Sequence, residues 1–221
     1  MMARRGMLGV MAGSVAAVLT GCGILGGEKS YRFRMTVEVE TPQGLKTGSS
    51  VMEVTAYEKL KLTSEEHGGG GGLRGEAVVV ETADGPVFVL LKNDGSGQPL
   101  RAQVTAALAP GAPLNPIASY VATVGDLGGM FASAKAELPR KAWPQMVRFR
   151  DLSDPKSVEK VAPEAAGVKR IVVETTMDAV TTGIEKRIPW VNHLGDYLSD
   201  PNNPFTSTLP EDFGGFRSGM T

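Results

Sequence analysis

The stretch from residue 31 to residue 40 alternates strictly between apolar and polar side chains. A period of two over ten residues predicts a β-strand with one buried face and one face turned to water. The apolar positions are Tyr31, Phe33, Met35, Val37 and Val39. We therefore expect the fold to begin here, with a strand that contributes every second side chain to the core.

Two hairpins are predicted from turn-forming residues between apolar runs. Residues 42–44 read Pro-Gln-Gly and predict a turn. Within 50–62, five apolar residues share one parity, so we predict a long antiparallel hairpin with the first strand; they are Met52, Val54, Ala56, Leu60 and Leu62. Asp84-Gly85 lies between the apolar runs 75–82 and 87–92, and this dipeptide suits a tight hairpin turn. Because both runs are continuously apolar, we expect the second hairpin to lie at the centre of the sheet.

Five consecutive glycines occupy residues 68–72. Glycine loses more backbone freedom on ordering than any other residue, so such a run does not hold one conformation cheaply. No lysine followed by serine or threonine comes after it, as a phosphate-binding loop would require. We predict a mobile hairpin tip.

The second half of the chain mixes helices and strands. Residues 93–116 are broken by proline and glycine and predict an irregular connection, with only 103–108 regular enough for a short helix or strand. After Asn115-Pro116 the apolar spacing predicts a helix of about two turns. We also predict a second helix from Asp126 through Leu138 and a last short helix opening at Pro189. Further strands are expected at 146–150 and 168–176.

Together these elements predict an α+β fold, mainly an antiparallel sheet of about six strands with two or three short helices on one side. The expected organisation is a signal peptide over 1–21, a tether over 22–30, one domain over 31–200, and an extended or disordered tail over 201–221. The domain is long enough to bury most of its apolar surface.

Charge and cysteine content exclude several classes of function. Because Arg4 and Arg5 precede Cys22, the chain from Cys22 onward has 21 basic and 24 acidic residues, a net charge of −3. That balance gives no electrostatic footprint for nucleic acid. Cys22 is the only cysteine, so disulfides and cysteine-rich metal sites are not expected.

The N-terminus has the layout of an export signal, with Arg4 and Arg5, an apolar stretch over 7–19, and small residues before Cys22. The run Leu19-Thr20-Gly21-Cys22 resembles the bacterial lipobox, which implies cleavage before Cys22 and acylation of that residue. Several acyl chains on one residue give strong membrane anchoring. Gly23 in place of an aspartate implies the inner leaflet of the outer membrane, facing the periplasm. Arg4-Arg5 also resembles a twin-arginine signal, so the export route stays open.

Few residues have the pattern of a catalytic site. Gly95-Ser96-Gly97 has neither the strand nor the helix that flank a nucleophile elbow. His67 and His193 are too few for a zinc site without carboxylates that cannot be identified from sequence. Three carboxylates lie close along the chain, and Glu174 and Asp178 would share a face if their strand ran on. The third is Glu185. A solvated strand face is the simpler interpretation, and we predict no enzyme activity, no cofactor and no metal.

The stretch 180–190 is the densest in specific residue types. Gly183 indicates a bulge or a positive φ, and Trp190 after Pro189 indicates a large aromatic ring at a rigid corner, which is more often core than ligand platform. The residues of this candidate binding loop are Thr181, Thr182, Gly183, Glu185 and Trp190.

Several segments resemble an uncharacterised family of proteobacterial lipoproteins. They are residues 31–42 with 48–51 after them, residues 154–158, and residues 180–190. The resemblance implies a lipoprotein and brings no catalytic residues. We therefore predict a non-enzymatic envelope protein that binds a protein or ligand. The alternatives are a small-molecule or lipid-binding domain, favoured by the long apolar strand faces, and a hydrolase using the carboxylates above.

Overall fold

The computed structural model describes residues 27–59, 68–93, 97–193 and 215–217. The predicted α+β class, mainly antiparallel, is confirmed, and the strands form two sheets where the sequence predicted one. In chain order the strands are β1 (Lys29–Thr41), β2 (Gly44–Glu58), β3 (Gly69–Arg74), β4 (Val78–Val80), β5 (Val87–Asn93), β6 (Lys135–Glu137), β7 (Pro144–Phe149), β8 (Val158–Lys160) and β9 (Val168–Thr175). The α-helices are α1 (Leu100–Leu108) and α2 (Ile117–Leu127).

The first sheet has the strand order β3-β2-β1-β9-β6. Its centre is the predicted long hairpin, in which Thr41 pairs with Gly44 across a two-residue turn and Lys29 pairs with Ala56 at the far end. The alternating apolar residues of β1 are all buried, as predicted. The polar face carries ion pairs such as Arg170 Nε to Glu38 Oε2 at 2.8 Å.

The second sheet has the strand order β4-β5-β7-β8. The predicted hairpin at Asp84-Gly85 is confirmed, with Val80 opposite Val87. Its predicted position is wrong for β4, which lies at the edge of this sheet while β5 lies inside it. An apolar run shows that a strand is buried without showing what covers it. Here part of the cover is the other sheet, because a side chain at Gly48 of β2 would clash with the carbonyl oxygen of Val79 in β4.

The helices depart from the sequence prediction in two places. Helix α2 begins at Ile117 as predicted, and α1 forms within the segment predicted to be irregular, burying Leu100, Val104 and Leu108 at a spacing of four. The predicted helix from Asp126 through Leu138 is wrong. Helix α2 runs on to Leu127 and stops at the Gly128-Gly129 pair. Residues 135–137 pair with β9 as a strand.

The predicted last helix is a 3-10 turn, Pro189–His193. Leu194 and Leu198, which follow this turn, lie outside the described residues. Of the described helices, neither has the length and apolar character needed to cross a bilayer.

Residues 215–217, from the segment predicted to be an extended or disordered tail, pack into the core. The Phe216 side chain is fully buried, and its carbonyl oxygen accepts a hydrogen bond from Ala77 N at 2.8 Å. Leu91 N donates to Gly215 O at 2.7 Å. The sequence did not predict this docking. Residues 201–214 and 218–221 lie outside the described part of the chain.

Candidate functional site

The candidate binding loop at 181–190 begins by extending the first sheet. Thr181 N donates to Val51 O at 3.0 Å, and Val51 N donates to the Thr181 hydroxyl at 2.8 Å. Thr182 is exposed. Gly183 adopts the predicted positive φ, +115°, and starts a 3-10 turn, Ile184–Lys186. The first part of the loop is therefore held in place by backbone pairing.

The middle of the loop closes on a buried carboxylate. Glu76 is 3% exposed, and its Oε2 accepts from Ile184 N at 2.9 Å. Its Oε1 accepts from Arg217 Nε at 3.0 Å and from Arg217 Nη2 at 2.8 Å. Arg217 Nη2 also donates to Glu185 Oε2 at 2.6 Å. Glu185 is thus part of an internal ion-pair network. Through Glu76, two residues before β4, this network fixes the loop and residues 215–217 to the second sheet.

The Trp190 ring lies in the core, the outcome that the sequence favoured. The side chain is 6% exposed, and its indole N–H donates to Leu152 O at 2.8 Å. The ring centroid lies 5.5 Å from that of Phe149 and 5.8 Å from that of Phe216. Such tilted and edge-to-face contacts stabilise aromatic clusters. Trp190 presents no face to a ligand.

The three carboxylates considered for catalysis each bind a different cation. Glu174 Oε2 lies 3.0 Å from Lys135 Nζ, Asp178 pairs with Arg34, and Glu185 pairs with Arg217. Strand β9 ends at Thr175, so Glu174 and Asp178 do not share a continued strand face. The structure does not assemble them into one acid and base pair.

No group of three or more His, Cys, Asp or Glu side chains in the described residues has the geometry to hold a metal ion. Cys22, His67, Gly95 and Ser96 lie outside those residues. His193 is the last residue of the final 3-10 turn.

A concave surface lies beside the glycine run. Gly69 to Gly72 of the run begin strand β3, which pairs with β2 from Glu53↔Arg74 to Glu58↔Gly69, so the prediction that the run forms a hairpin tip is wrong. The groove has a volume of about 560 Å³. It is bounded by β3, by the start of α1 and by the start of α2. Its lining residues include Gly69, Gly71, Arg101, Ala106, Leu114, Ile117 and Tyr120.

The glycines are needed because the backbone of β2, with α2 behind it, occupies the space that side chains would fill. A Cβ at Gly71 would lie 2.7 Å from Thr55 O and 3.3 Å from the Tyr120 ring. A Cβ at Gly69, whose φ is +152°, would lie 2.2 Å from Tyr57 O and 2.9 Å from Ile117 Cγ1. Close backbone approach is a known use of glycine in strands. Tertiary packing therefore compensates the entropy that ordering the run costs.

Arg101 is the only charged residue among the described residues that line the groove, and no acidic residue faces it there. Tyr120 forms part of the wall, and burial raises the pKa of its hydroxyl, an effect that the nearby Thr105 hydroxyl and Arg101 oppose. Beneath it, Tyr31 OH and Thr105 Oγ1 are 2.9 Å apart, and burial raises the pKa of Tyr31 well above its ordinary value. Both phenols stay neutral over the physiological pH range. Arg101 therefore provides one positive charge among neutral groups in the described part of the groove.

Sequence reasoning missed this groove because neither the glycine run nor the full segment that forms α1 was predicted to have regular structure. The glycine run was interpreted only as flexible, and α1 was placed in an irregular connection. The available signal was the spacing of Leu100, Val104 and Leu108, which predicts a helix with one apolar face. Which strand that face covers is not written in the local sequence.

Comparison of the chain with protein-family models, curated proteins and solved structures finds no match. The resemblance to proteobacterial lipoproteins stays a prediction. Function is inferred below from the geometry of the chain itself.

Proposed function

We propose that the protein is a non-enzymatic, lipid-anchored binding protein of the periplasmic face of the outer membrane, and that it holds a small organic anion in the groove beside β3. The observation that carries this proposal is the single positive charge of Arg101 in a groove whose other lining residues, among those that the structure describes, are neutral. A cation without an opposing carboxylate favours an anionic ligand, and arginine binds carboxylate and phosphate groups through paired N–H donors.

The size and the walls of the groove support a small molecule. Its volume of about 560 Å³ falls within the roughly 300–1,000 Å³ typical of ligand sites. Leu114, Ile117 and Ala106 provide apolar wall, while Tyr120 remains neutral. These features favour a ligand with an apolar body and one anionic end.

The non-enzymatic part of the proposal is supported by the state of the carboxylates. Glu174, Asp178 and Glu185 are each neutralised by a basic partner. General acid and base chemistry needs two carboxyl groups in one cleft with different environments. None of these three residues lines the groove beside β3.

A protein partner is the second candidate. Strand β3 ends the order of its sheet among the described strands. An edge strand that begins with four glycines is suited to the addition of a strand from another chain, where the backbone supplies the hydrogen bonds. Backbone pairing at β3 would not depend on Arg101.

The anchor is tested by mass spectrometry of the mature N-terminus and by membrane fractionation. We expect acylated Cys22 in outer-membrane fractions, and release into the soluble periplasm in Cys22→Ser. A mature N-terminus that carries no acyl chain, or sedimentation with the inner membrane, would contradict this part of the proposal.

The ligand is tested by native mass spectrometry of the purified protein and by thermal shift against amphiphilic carboxylates, sulfonates and phosphates. We expect a stabilising ligand whose effect is lost in Arg101→Gln and in Ala106→Trp, which fills the groove. Ala122→Trp is the matched control, because Ala122 is an exposed alanine of α2 that does not line the groove. Equal binding by Arg101→Gln and the wild type would exclude an anion site.

A further inference from the structure

Three large apolar side chains are highly exposed at one end of the molecule. Met130 is 81% exposed, Phe131 is 93% exposed and Met177 is 77% exposed. Exposed apolar clusters on soluble domains commonly mark an interaction surface. A fourth exposed side chain, Leu45, is 58% exposed and lies at the turn of the β1–β2 hairpin.

The two segments that carry these residues both lie beside the start of β1. Helix α2 ends against Ser30, since a side chain at Gly128 would clash with the Ser30 carbonyl oxygen, and the following residues carry Met130 and Phe131. From the other side, Thr176 N donates to Arg32 O at 3.0 Å, which places Met177 beside the same strand. A groove of about 330 Å³ lies between them, lined by residues from both segments.

This end of β1 is also where the chain leads back to the proposed lipid anchor. Lys29 lies seven positions after Cys22, and seven steps of roughly 3.5 Å each reach at most about 25 Å. If Cys22 sits at the bilayer surface, the start of β1 cannot be farther from it than that distance. The exposed apolar residues therefore lie on the part of the domain held nearest the lipid.

Charged residues of both signs lie beside this surface. Arg32 and Glu53 line the groove, Arg32 Nη1 donates to Asp178 O at 3.2 Å, and the Lys29 side chain lies next to Gly125 of α2. Electrostatic attraction to anionic lipids needs a clear excess of basic residues. Contact with the bilayer would instead come from apolar side chains entering the interface, as in other peripheral proteins.

We propose that Met130, Phe131 and Met177 form a membrane-contact surface that enters the outer-membrane interface and fixes the orientation of the domain. This inference rests on the proposed lipid anchor. Strand β1 has 13 residues and spans roughly 40 Å, so the hairpin turn with Leu45 points into the periplasm when the other end contacts lipid.

The test uses the full chain, expressed with its signal, acylated and reconstituted into phosphatidylethanolamine–phosphatidylglycerol vesicles. Acylation leaves no other thiol, so a nitroxide can be attached at Phe131→Cys or, as the matched control, at Leu45→Cys. We expect the label at residue 131 to be at least several-fold less accessible to a water-soluble nickel complex than the label at residue 45, and more accessible to oxygen. Changing the phosphatidylglycerol content should not alter this ratio.

Equal nickel accessibility of the two labels on acylated protein would overturn the membrane-contact surface and leave the anchor intact. Spin–spin broadening at residue 131 would show a second copy of the chain there and would also overturn it. Mass spectrometry of the same preparation separates the two proposals, because unmodified Cys22 removes the anchor and this surface together.

Discussion

The loop at 181–190 and the groove beside β3 differ in where their polar groups are directed. In the loop, Thr181, Glu185 and Trp190 all hydrogen-bond to the protein itself. In the groove, Arg101 faces open space among neutral residues. The threonine, glutamate and tryptophan side chains of the loop are therefore explained by their contacts within the fold and do not by themselves indicate a binding site. A binding site is marked by groups that the fold places at a concave surface and does not itself use.

The largest expected effect is on the loop. Arg217→Ala should lower the free energy of unfolding by about 3 kcal/mol, since removal of one partner leaves the buried Glu76 carboxylate uncompensated. Chemical denaturation of the two proteins measures the difference. The control is Arg187→Ala, whose partner Glu81 is exposed, and for which a loss of less than about 1 kcal/mol is expected. Similar small losses in both variants would mean that the loop is not held by Glu76.

The second prediction addresses the order of the glycine strand. Gly71→Ala should cost about 1–3 kcal/mol, the usual penalty for forcing an extra methyl group into a packed site, since its Cβ would lie 2.7 Å from Thr55 O. Gly72→Ala is the neighbouring control. Its Cβ would meet the Thr55 hydroxyl at 3.0 Å, a side chain that can rotate, so we expect a change within about 0.5 kcal/mol. Equal effects in denaturation experiments would mean that the Thr55 carbonyl does not restrict a side chain at Gly71.

The third prediction concerns the hydroxyl groups beneath the groove. Tyr31→Phe should cost about 1 kcal/mol, the net value of one buried hydrogen bond, because it removes the 2.9 Å contact with the Thr105 hydroxyl. The ring itself and its packing against Phe33 remain. Ligand binding at Arg101 should be unchanged. A large loss of binding with intact stability would show that this buried pair belongs to the site and not to its support.

The smallest effect on stability is expected for the exposed ion pair of Arg170 with Glu38, which serves as the reference for the buried pair of Arg217 with Glu76. The Arg170 guanidinium holds the pKa of Glu38 below its ordinary value of 4.5. The unfolded chain therefore binds this proton more readily, so the pair's stabilisation is present above pH 4.5 and is lost as pH falls through the lower folded pKa. Denaturation between pH 6 and pH 3 should show a shallower acid-side decline in Arg170→Gln than in the wild type. An identical decline in the two proteins would mean that the Arg170–Glu38 pair does not contribute to the loss of stability in acid.

Local periodicity explains which elements were predicted. The strands at 31–40, 146–150 and 168–176 were found because alternation is a property of neighbouring residues. The helix predicted from Asp126 failed because Gly128 and Gly129 ended the preceding helix, and the short strand at 135–137 depends on pairing with β9. A three-residue strand has no period long enough to recognise.

The candidate site was largely out of reach of the sequence. Gly71 and Tyr120 are 49 positions apart, and only the packing of α2 against β1 and β2 brings the Tyr120 ring beside β3. Likewise, Glu76 and Arg217 meet across 141 positions. Charge and aromatic content along the chain cannot indicate such pairs, because their partners are chosen by the path of the backbone.

The sequence by itself determined the first strand, its hairpin partner, the α+β class and the residues that β1 buries, since each follows from the order of apolar and polar side chains along a short segment. The tertiary structure alone decided that the strands divide into two sheets, that the glycine run is an ordered strand, and that Phe216 belongs to the core. These outcomes depend on which surfaces meet, and the free energy gained by burying apolar area depends on contact between distant segments, whatever their local pattern.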